Sequence, residues 1–315
     1  MTAHRFDFPT NKIAQTPVSV SQISFGCSAL ANMYRTVTAA DAQSLLTYSW
    51  NSGIRYFDTA PHYGRGLSEA RLGEFLRTVP RDAITLSTKV GRVLRPGAVR
   101  AEADGFLNPL PNDVHYDYSG AGILESFNGS CARLGTDYID ILYVHDIGRA
   151  THGADNQKHF QDLMETGLPM LANLKQQGRI GAYGLGVNEC EVCIDVLQDH
   201  PLDVILLAGR WTLLDRTAEQ TLVPLCKSLG VSLVLGGIFN SGILATGAVP
   251  GAHFDYAPAS QDILQRTRAL EAESAAQNIS LATAALRFAV AQDCVASVLI
   301  GTGKVSSLAR NLESL

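Results

Sequence analysis

The sequence predicts an α/β fold, a (β/α)8 TIM barrel that takes in residues 1–315 as one domain. Three observations carry this expectation. Short β-branched or apolar runs alternate with longer amphipathic segments along the chain, as in repeated strand-helix units. There are eight such runs, and eight βα units close naturally into a parallel barrel. No low-complexity tract or long interior linker divides the chain, and 315 residues suit one barrel as well as two smaller domains.

Taken in order, the expected strands are "QISFG" from Gln22, "IRYFD" from Ile54, "ITLSTK" from Ile84, "IDILYVH" from Ile139, "IGAYGLGV" from Ile180, "DVILLA" from Asp203, "VSLVLGG" from Val231 and "ASVLIG" from Ala296. Each is short, apolar and β-branched enough to be buried on both faces. Helices are expected over "AADAQSLLTYSWNSG" from Ala39, "LSEARLGEFLRTV" from Leu67, "AGILESFNGSCARLG" from Ala121, "HFQDLMETGLPMLANLKQQG" from His159 and "AEQTLVPLCKSLG" from Ala218. Several close on glycine, a frequent helix terminator. Two long irregular pieces, about Gly91 to Ser119 and about Ile238 to Ala259, follow strands and are expected to overhang the barrel mouth.

Composition narrows the function. Hydrophobic residues make up 46% and charged residues 17%, which reads as a globular, soluble chain. No apolar run reaches the ~18 residues of a membrane span, so no membrane partner is expected. The opening "MTAHRFDFPTNK" lacks the basic segment, apolar run and cleavage site of a secretory signal, which makes cytoplasm the default. A net charge of -5 without a long basic run argues against nucleic acid. The six cysteines read as reduced thiols. "CEVC", Cys190 to Cys193, lacks both a second ligand pair and a thioredoxin-like frame. Nothing in the sequence speaks to oligomeric state.

Four ionisable residues fall at or just past strand ends: Asp58 and Tyr63 in "FDTAPHYG", Lys89 in "STKVG" and His145 in "YVHD". Taken singly, the aspartate reads as a helix cap and the histidine as a satisfied core residue. Together they form an acid/base device. An ammonium within ~4–6 Å of a phenol favours the phenolate and lowers its pKa by about 1–3 units. Lys89 can do this to Tyr63, Asp58 can balance the buried lysine, and His145 can orient a substrate oxygen. The set polarises a carbonyl and trades one proton with it, but carries no electrons. A hydride cofactor is the natural complement for a small-molecule substrate.

The run "FDTAPHYG...SE", then "STKVG", then "YIDILYVHD", in that order, resembles the aldo-keto reductase family over about Val18 to Leu315. The resemblance implies an (α/β)8 barrel that binds NAD(P)(H) at the strand C-terminal face, with a tetrad of Asp58, Tyr63 as general acid/base, Lys89 and His145. A Rossmann G-x-G-x-x-G is absent from "FGCSALAN". Gly301 and Gly303 in "LIGTGKVSSLARNLE" could instead bring backbone amides to a phosphate at a helix N-terminus, although a lone GTG turn also reads as a tight loop. In the family this segment wraps the adenosine end, which implies cofactor contacts from Gly301, Thr302, Gly303, Ser307 and Asn311.

Departures from the family pattern place Asn188 and Glu189 of "GVNEC" where Ser-Asn usually holds the nicotinamide carboxamide, and Ala208 where a glutamine is usual. The tyrosine that often stacks on nicotinamide is replaced within "LGGIFNSG". Gly301, Gly303 and Ser307 offer no positive charge to a 2'-phosphate, which favours NAD over NADP, with Lys304 nearby as the opposing sign.

"NDVHYDYSG" and Trp211 offer aromatic faces among polar groups, suited to a sugar, although such residues also tie down a long loop. With "GVNE" and "NSGIL", the chain resembles the branch of D-threo-aldose, L-fucose and L-galactose 1-dehydrogenases, with pyridoxal 4-dehydrogenase as a close relative. The expected reaction is therefore NAD-linked oxidation of an aldose at C1 to a lactone. Pyridoxal oxidation and general aldehyde reduction are the alternatives. A metal-dependent hydrolase would need His-x-His or clustered carboxylates that the first strand lacks. A non-catalytic regulatory subunit would have no use for an intact tetrad.

Overall fold

A computed structural model describes residues 4–315. Eight parallel strands close a barrel: β1 (Ile23–Gly26), β2 (Tyr56–Asp58), β3 (Thr85–Val90), β4 (Ile139–His145), β5 (Ile180–Val187), β6 (Val204–Ala208), β7 (Ser232–Gly236) and β8 (Val295–Ile300). Each lies within a residue or two of its expected run. Pairing runs in chain order, and β8 returns to β1 through Val298↔Ile23, Leu299↔Ser24 and Ile300↔Phe25. Both faces are buried, as continuous apolar runs require.

Helices α1 (Ala39–Asn51), α2 (Leu67–Leu76), α3 (Gly120–Leu134), α4 (Leu168–Gln176), α5 (Glu191–Asp199), α6 (Leu222–Leu229), α7 (Gln261–Ala276), α8 (Leu281–Val290) and α9 (Val305–Glu313) connect or follow the strands. The Thr38 and Ser119 side chains cap α1 and α3. The continuous helix expected over 159–178 is interrupted. Asn156–Asp162 is α-helical and Leu163–Gly167 is π-helical before α4 begins. Pro169, in the first turn of α4, has no N–H and would crowd the carbonyl four residues back, so the ladder widens there. The helix expected from Ala218 starts at Leu222, because the Ala218 amide is engaged by the Arg210 carbonyl.

The two long loops carry structure of their own. Arg92–Pro96 pairs antiparallel with Asn112–Tyr116, and between them Glu102–Ala103 pairs with Phe106–Leu107. After β7, a helical turn at Ile243–Thr246 precedes a hairpin of His253–Phe254 with Ala257–Pro258. At the opposite end, a hairpin of Thr10–Lys12 with Ser19–Ser21 closes the barrel floor. Asn11 Nδ2 donates to the Ala296 carbonyl, the Ala14 amide donates to Ser232 Oγ, and Thr85 Oγ1 donates to the Ser19 carbonyl, so the hairpin is tied to the starts of three strands. Its Ile13, Val18 and Val20 join Tyr56, Ile141, Tyr143, Val204 and Val234 in an apolar plug.

Candidate active site

Asp58 ends β2 and Lys89 lies near the end of β3, so neighbouring parallel strands deliver them side by side. Lys89 Nζ donates to Asp58 Oδ2 at 2.7 Å and to the Thr59 carbonyl at 2.8 Å. Ser87 Oγ donates to Asp58 Oδ1 at 2.6 Å. Both members of the pair are nearly sealed, with side chains 2% and 4% exposed. Gly186 of β5 lies against the lysine stem, where a Cβ would stand 3.2 Å from Tyr143 Cβ and 3.4 Å from Lys89 Cε.

Tyr63 begins a short 3-10 turn in which Gly64 has φ +60°. A Cβ on Gly64 would meet Ala31 Cβ at 2.9 Å, so glycine is what lets this turn close against the first βα loop. The turn brings the Tyr63 ring to 4.8 Å from Lys89 Nζ. Burial pushes the phenol above its ordinary value of 10, while Lys89 pulls it down. The net rise differs from the lowering that the Lys89 charge alone would produce. Burial also opposes the Lys89 charge, but Asp58 and Tyr63 outweigh it and hold the ammonium above its ordinary range.

His145 ends β4, with its ring 5.9 Å from that of Tyr63 and perpendicular to it. Burial, then the charges of Arg92 and Lys89, hold it well below 6.5 and therefore neutral. His62 is pushed down by burial and the same cations. The structure thus brings Asp58, Tyr63, Lys89 and His145 together.

A second ion pair stands beside the first. Arg92, just past β3, puts Nη2 2.5 Å from Asp146 Oδ2, and that oxygen is 3.3 Å from His145 Nε2. The Arg92 side chain is 6% exposed. Asp146 adopts φ +45°, a left-handed conformation that costs a non-glycine residue about 1–2 kcal/mol. Tyr118 OH donates to the His145 carbonyl at 2.8 Å and contacts His152 Nε2 at 2.8 Å. Arg92 and Asp146 are not among the site residues expected from the sequence. The histidine-aspartate step in "YVHD" and the arginine three residues past Lys89 were the available signals.

A cavity of about 380 Å³ opens over these groups, with Tyr34, Phe106 and Tyr256 as aromatic walls and Asp104, Asp146 and Asn188 as polar ones. A neighbouring cavity of about 390 Å³ runs from Asp58 and Tyr63 past Gly236, Gly237 and Phe239 to Gly301. Its glycine-rich wall leaves backbone exposed along a trough, which fits an extended dinucleotide. Ala208 lines both cavities and Phe239 the second.

The remaining candidates are placed as follows. Asn188 faces the first cavity, and its carbonyl accepts from Arg210 Nε. Arg210 also pairs with Asp215 and Asp255, joining the loops that follow β5, β6 and β7. Glu189 points elsewhere. Its carboxylate accepts the Ala150 amide at 3.2 Å and fills the space beside Gly148. Thr302 Oγ1 accepts the Lys304 amide, Gly303 and Ser307 meet Arg35 and Arg310, and the Asn311 carbonyl accepts from Ser314. Arg35 and Arg310, not expected from the sequence, approach this segment.

None of the residues of "NDVHYDYSG", nor Trp211, lines either cavity. Asp113 pairs with Arg65 and Arg100, Asp117 takes the Ser119 hydroxyl and amide, and Tyr118 and Trp211 are buried. The same loop contributes Asp104, Gly105 and Phe106 instead. Cys190 and Cys193 are buried, with thiols pushed up by that burial.

No helix among the described residues is long and apolar enough to cross a membrane. The sequence profile of the Aldo/keto reductase family matches residues 22–315. The chain is 40% identical over 312 residues to a pyridoxal 4-dehydrogenase of Microbacterium luteolum, covering 95% of this chain and 91% of the relative. It is 32% identical over 308 residues to a D-threo-aldose 1-dehydrogenase of a Pseudomonas species, covering 95% and 91%. The solved aldo-keto reductase AKR11C1 of Bacillus halodurans superposes with a TM-score of 0.77 at 26% identity, covering 98% of this chain and 91% of that one. With its closed parallel barrel and a family match that reaches from β1 through α9, this chain belongs to the aldo/keto reductase family, whose members are oxidoreductases that use nicotinamide cofactors on small molecules.

Proposed function

We propose that the protein oxidises the anomeric carbon of an aldose to a lactone with NAD. The observation that carries this reading is Tyr63, set against the Lys89 ammonium at the wall of a cavity that combines aromatic faces with the carboxylates of Asp104 and Asp146. A sugar ring presents apolar C–H faces to the first and hydroxyl donors to the second.

Tyr63, as phenolate, takes the proton of the C1 hydroxyl. Lys89 stabilises the phenolate, and Asp58 with the Thr59 carbonyl keeps the ammonium charged and aimed. Neutral His145 donates to the oxygen at C1 and orients it. Bound NAD would supply the hydride acceptor, so that C1 loses a hydride and becomes the lactone carbonyl as Tyr63 takes the proton. Burial holds the phenol above 10, so oxidation speeds up as pH rises.

The trough lined by Gly236, Gly237 and Gly301 would hold the dinucleotide, with Asn188 at the carboxamide and Gly301, Thr302, Gly303, Ser307 and Asn311 at the adenosine end. Glu189 is engaged by the Ala150 amide and serves the loop instead. NAD is preferred in this reading because Arg35 is committed to the Gly303 carbonyl and Arg310 to Ser307. A clear advantage for NADP would assign Arg35, Lys304 and Arg310 to its 2'-phosphate.

Pyridoxal is the second reading, favoured by the 40% identity to a pyridoxal 4-dehydrogenase. The test is a screen of L-fucose, L-galactose, D-arabinose and pyridoxal with each dinucleotide, followed by absorbance of the reduced nicotinamide. Turnover of the sugars supports the proposal. Turnover of pyridoxal alone overturns it.

A further inference from the structure

We infer that Asp146 is a substrate-binding residue that reads the hydroxyl on the carbon next to the reacting one, so that the enzyme selects aldoses with a free 2-hydroxyl. This rests on the aldose reading. The carboxylate lines the cavity, yet among the described residues its contacts to Arg92 and His145 both run through Oδ2, and Oδ1 takes no hydrogen bond. A carboxylate on the cavity wall with one oxygen free of protein donors can accept a hydrogen bond from a ligand hydroxyl.

The carboxylate and the imidazole stand side by side, with Asp146 Oδ2 3.3 Å from His145 Nε2, so the two side chains can reach oxygens on adjacent ring carbons. With the C1 oxygen on His145, the C2 hydroxyl reaches Asp146. Holding two oxygens of the ring at once also fixes which face of C1 is presented.

Arg92 is the positioning residue. It anchors the carboxylate from a nearly sealed pocket, and Asp146 keeps a left-handed backbone while the Tyr118 hydroxyl donates to the carbonyl of the preceding residue, His145. The ion pair fixes the carboxylate in place and leaves its second oxygen to the substrate.

The decisive comparison is D-arabinose with 2-deoxy-D-ribose, which differ only by the C2 hydroxyl, on the wild-type enzyme. A hydrogen bond to a charged acceptor predicts kcat/KM lower by about 10- to 100-fold for the deoxy sugar. In Asp146→Asn, matched to wild type by its melting curve, the ratio of kcat/KM for D-arabinose to that for the deoxy sugar should fall toward one. Arg92→Lys should keep part of the discrimination, with KM affected more than kcat. Equal turnover of the two sugars by wild type, or undiminished discrimination in Asp146→Asn, overturns the inference and leaves the aldose reading intact. Failure to oxidise any sugar overturns both.

Discussion

The floor and the mouth of the barrel are made from the same eight strands and treat polar groups in opposite ways. At the floor, the N-terminal hairpin seals a plug of Ile13, Val18, Val20, Ile141, Val204 and Val234. At the mouth, the strand ends hold two buried ion pairs, Asp58–Lys89 and Arg92–Asp146, with neutral His62 and His145 among them. Between the two levels, Tyr56 OH contacts Ser87 Oγ and Tyr143 OH at 3.0 Å each, and Ser87 passes the hydrogen bond up to Asp58. The floor gains stability from apolar burial. The mouth keeps charges out of water, which costs stability and is repaid only when each charge has its partner.

Four experiments sharpen or break that division. The largest effect is expected from Tyr63→Phe, which should lower kcat by about 10²- to 10⁴-fold with little change in melting temperature or dinucleotide affinity. A variant that keeps most activity would remove Tyr63 from the chemistry. A collapse in stability would make it a structural residue.

Next comes Asp58→Asn, which strands the buried ammonium and should cost about 3–5 kcal/mol in urea unfolding. Combining it with Lys89→Met should recover much of the stability but none of the activity. If the double variant is no more stable than the single one, the pair is not a compensated unit.

At the floor, Ile141→Ala should cost about 2–5 kcal/mol through the cavity it leaves, with kcat almost unchanged. Comparable losses of stability and activity there would show that the two ends are not separable.

The smallest effect is on the pH dependence of stability. Burial pushes His62 and His145 down and, together with the His159 and Arg92 charges, holds His152 at about 4. The unfolded chain takes up protons at these positions near pH 6.5, whereas the folded protein does not. Their contribution is complete above pH 6.5 and declines as pH falls below it, that of His152 being lost by about pH 4 and those of the more strongly depressed His62 and His145 continuing to fall below that. Melting temperatures should decline across that window, and His152→Gln should flatten part of the slope. A flat profile from pH 7.5 to 5 would contradict the neutral histidines.

The barrel was legible in the sequence because parallel strands must be apolar on both faces, which leaves runs such as "IDILYVH" and "IGAYGLGV" with almost no alternative. The ribbon Arg92–Pro96 with Asn112–Tyr116 was not, since its half-exposed, charged residues carry no apolar alternation. Asp58, Lys89 and His145 were legible because they sit at or near strand ends, where position along the strand fixes direction, and Tyr63 because it falls in the run "FDTAPHYG" that carries the family resemblance. Arg92 and Asp146 lie just beyond those ends, and only tertiary structure reveals that they meet. The aromatic loop misled for the same reason. Tyr116 and Tyr118 face His152 and His159, while the unremarkable "DGF" of the same loop reaches the cavity.

Arg210 bears on when molecules leave the cleft as well as on how they are held. It ties Asn188, which faces the cavity, to Asp255, which precedes Tyr256 over the mouth. The Asp255 carboxylate is 47% exposed, so dissolved ions reach this link far more easily than they reach the sealed pairs below. Added salt should therefore loosen the tie between the loops that follow β5 and β7 before it affects the sealed pairs. Stopped-flow release of bound dinucleotide should accelerate with added salt, and Asp255→Asn should abolish that acceleration.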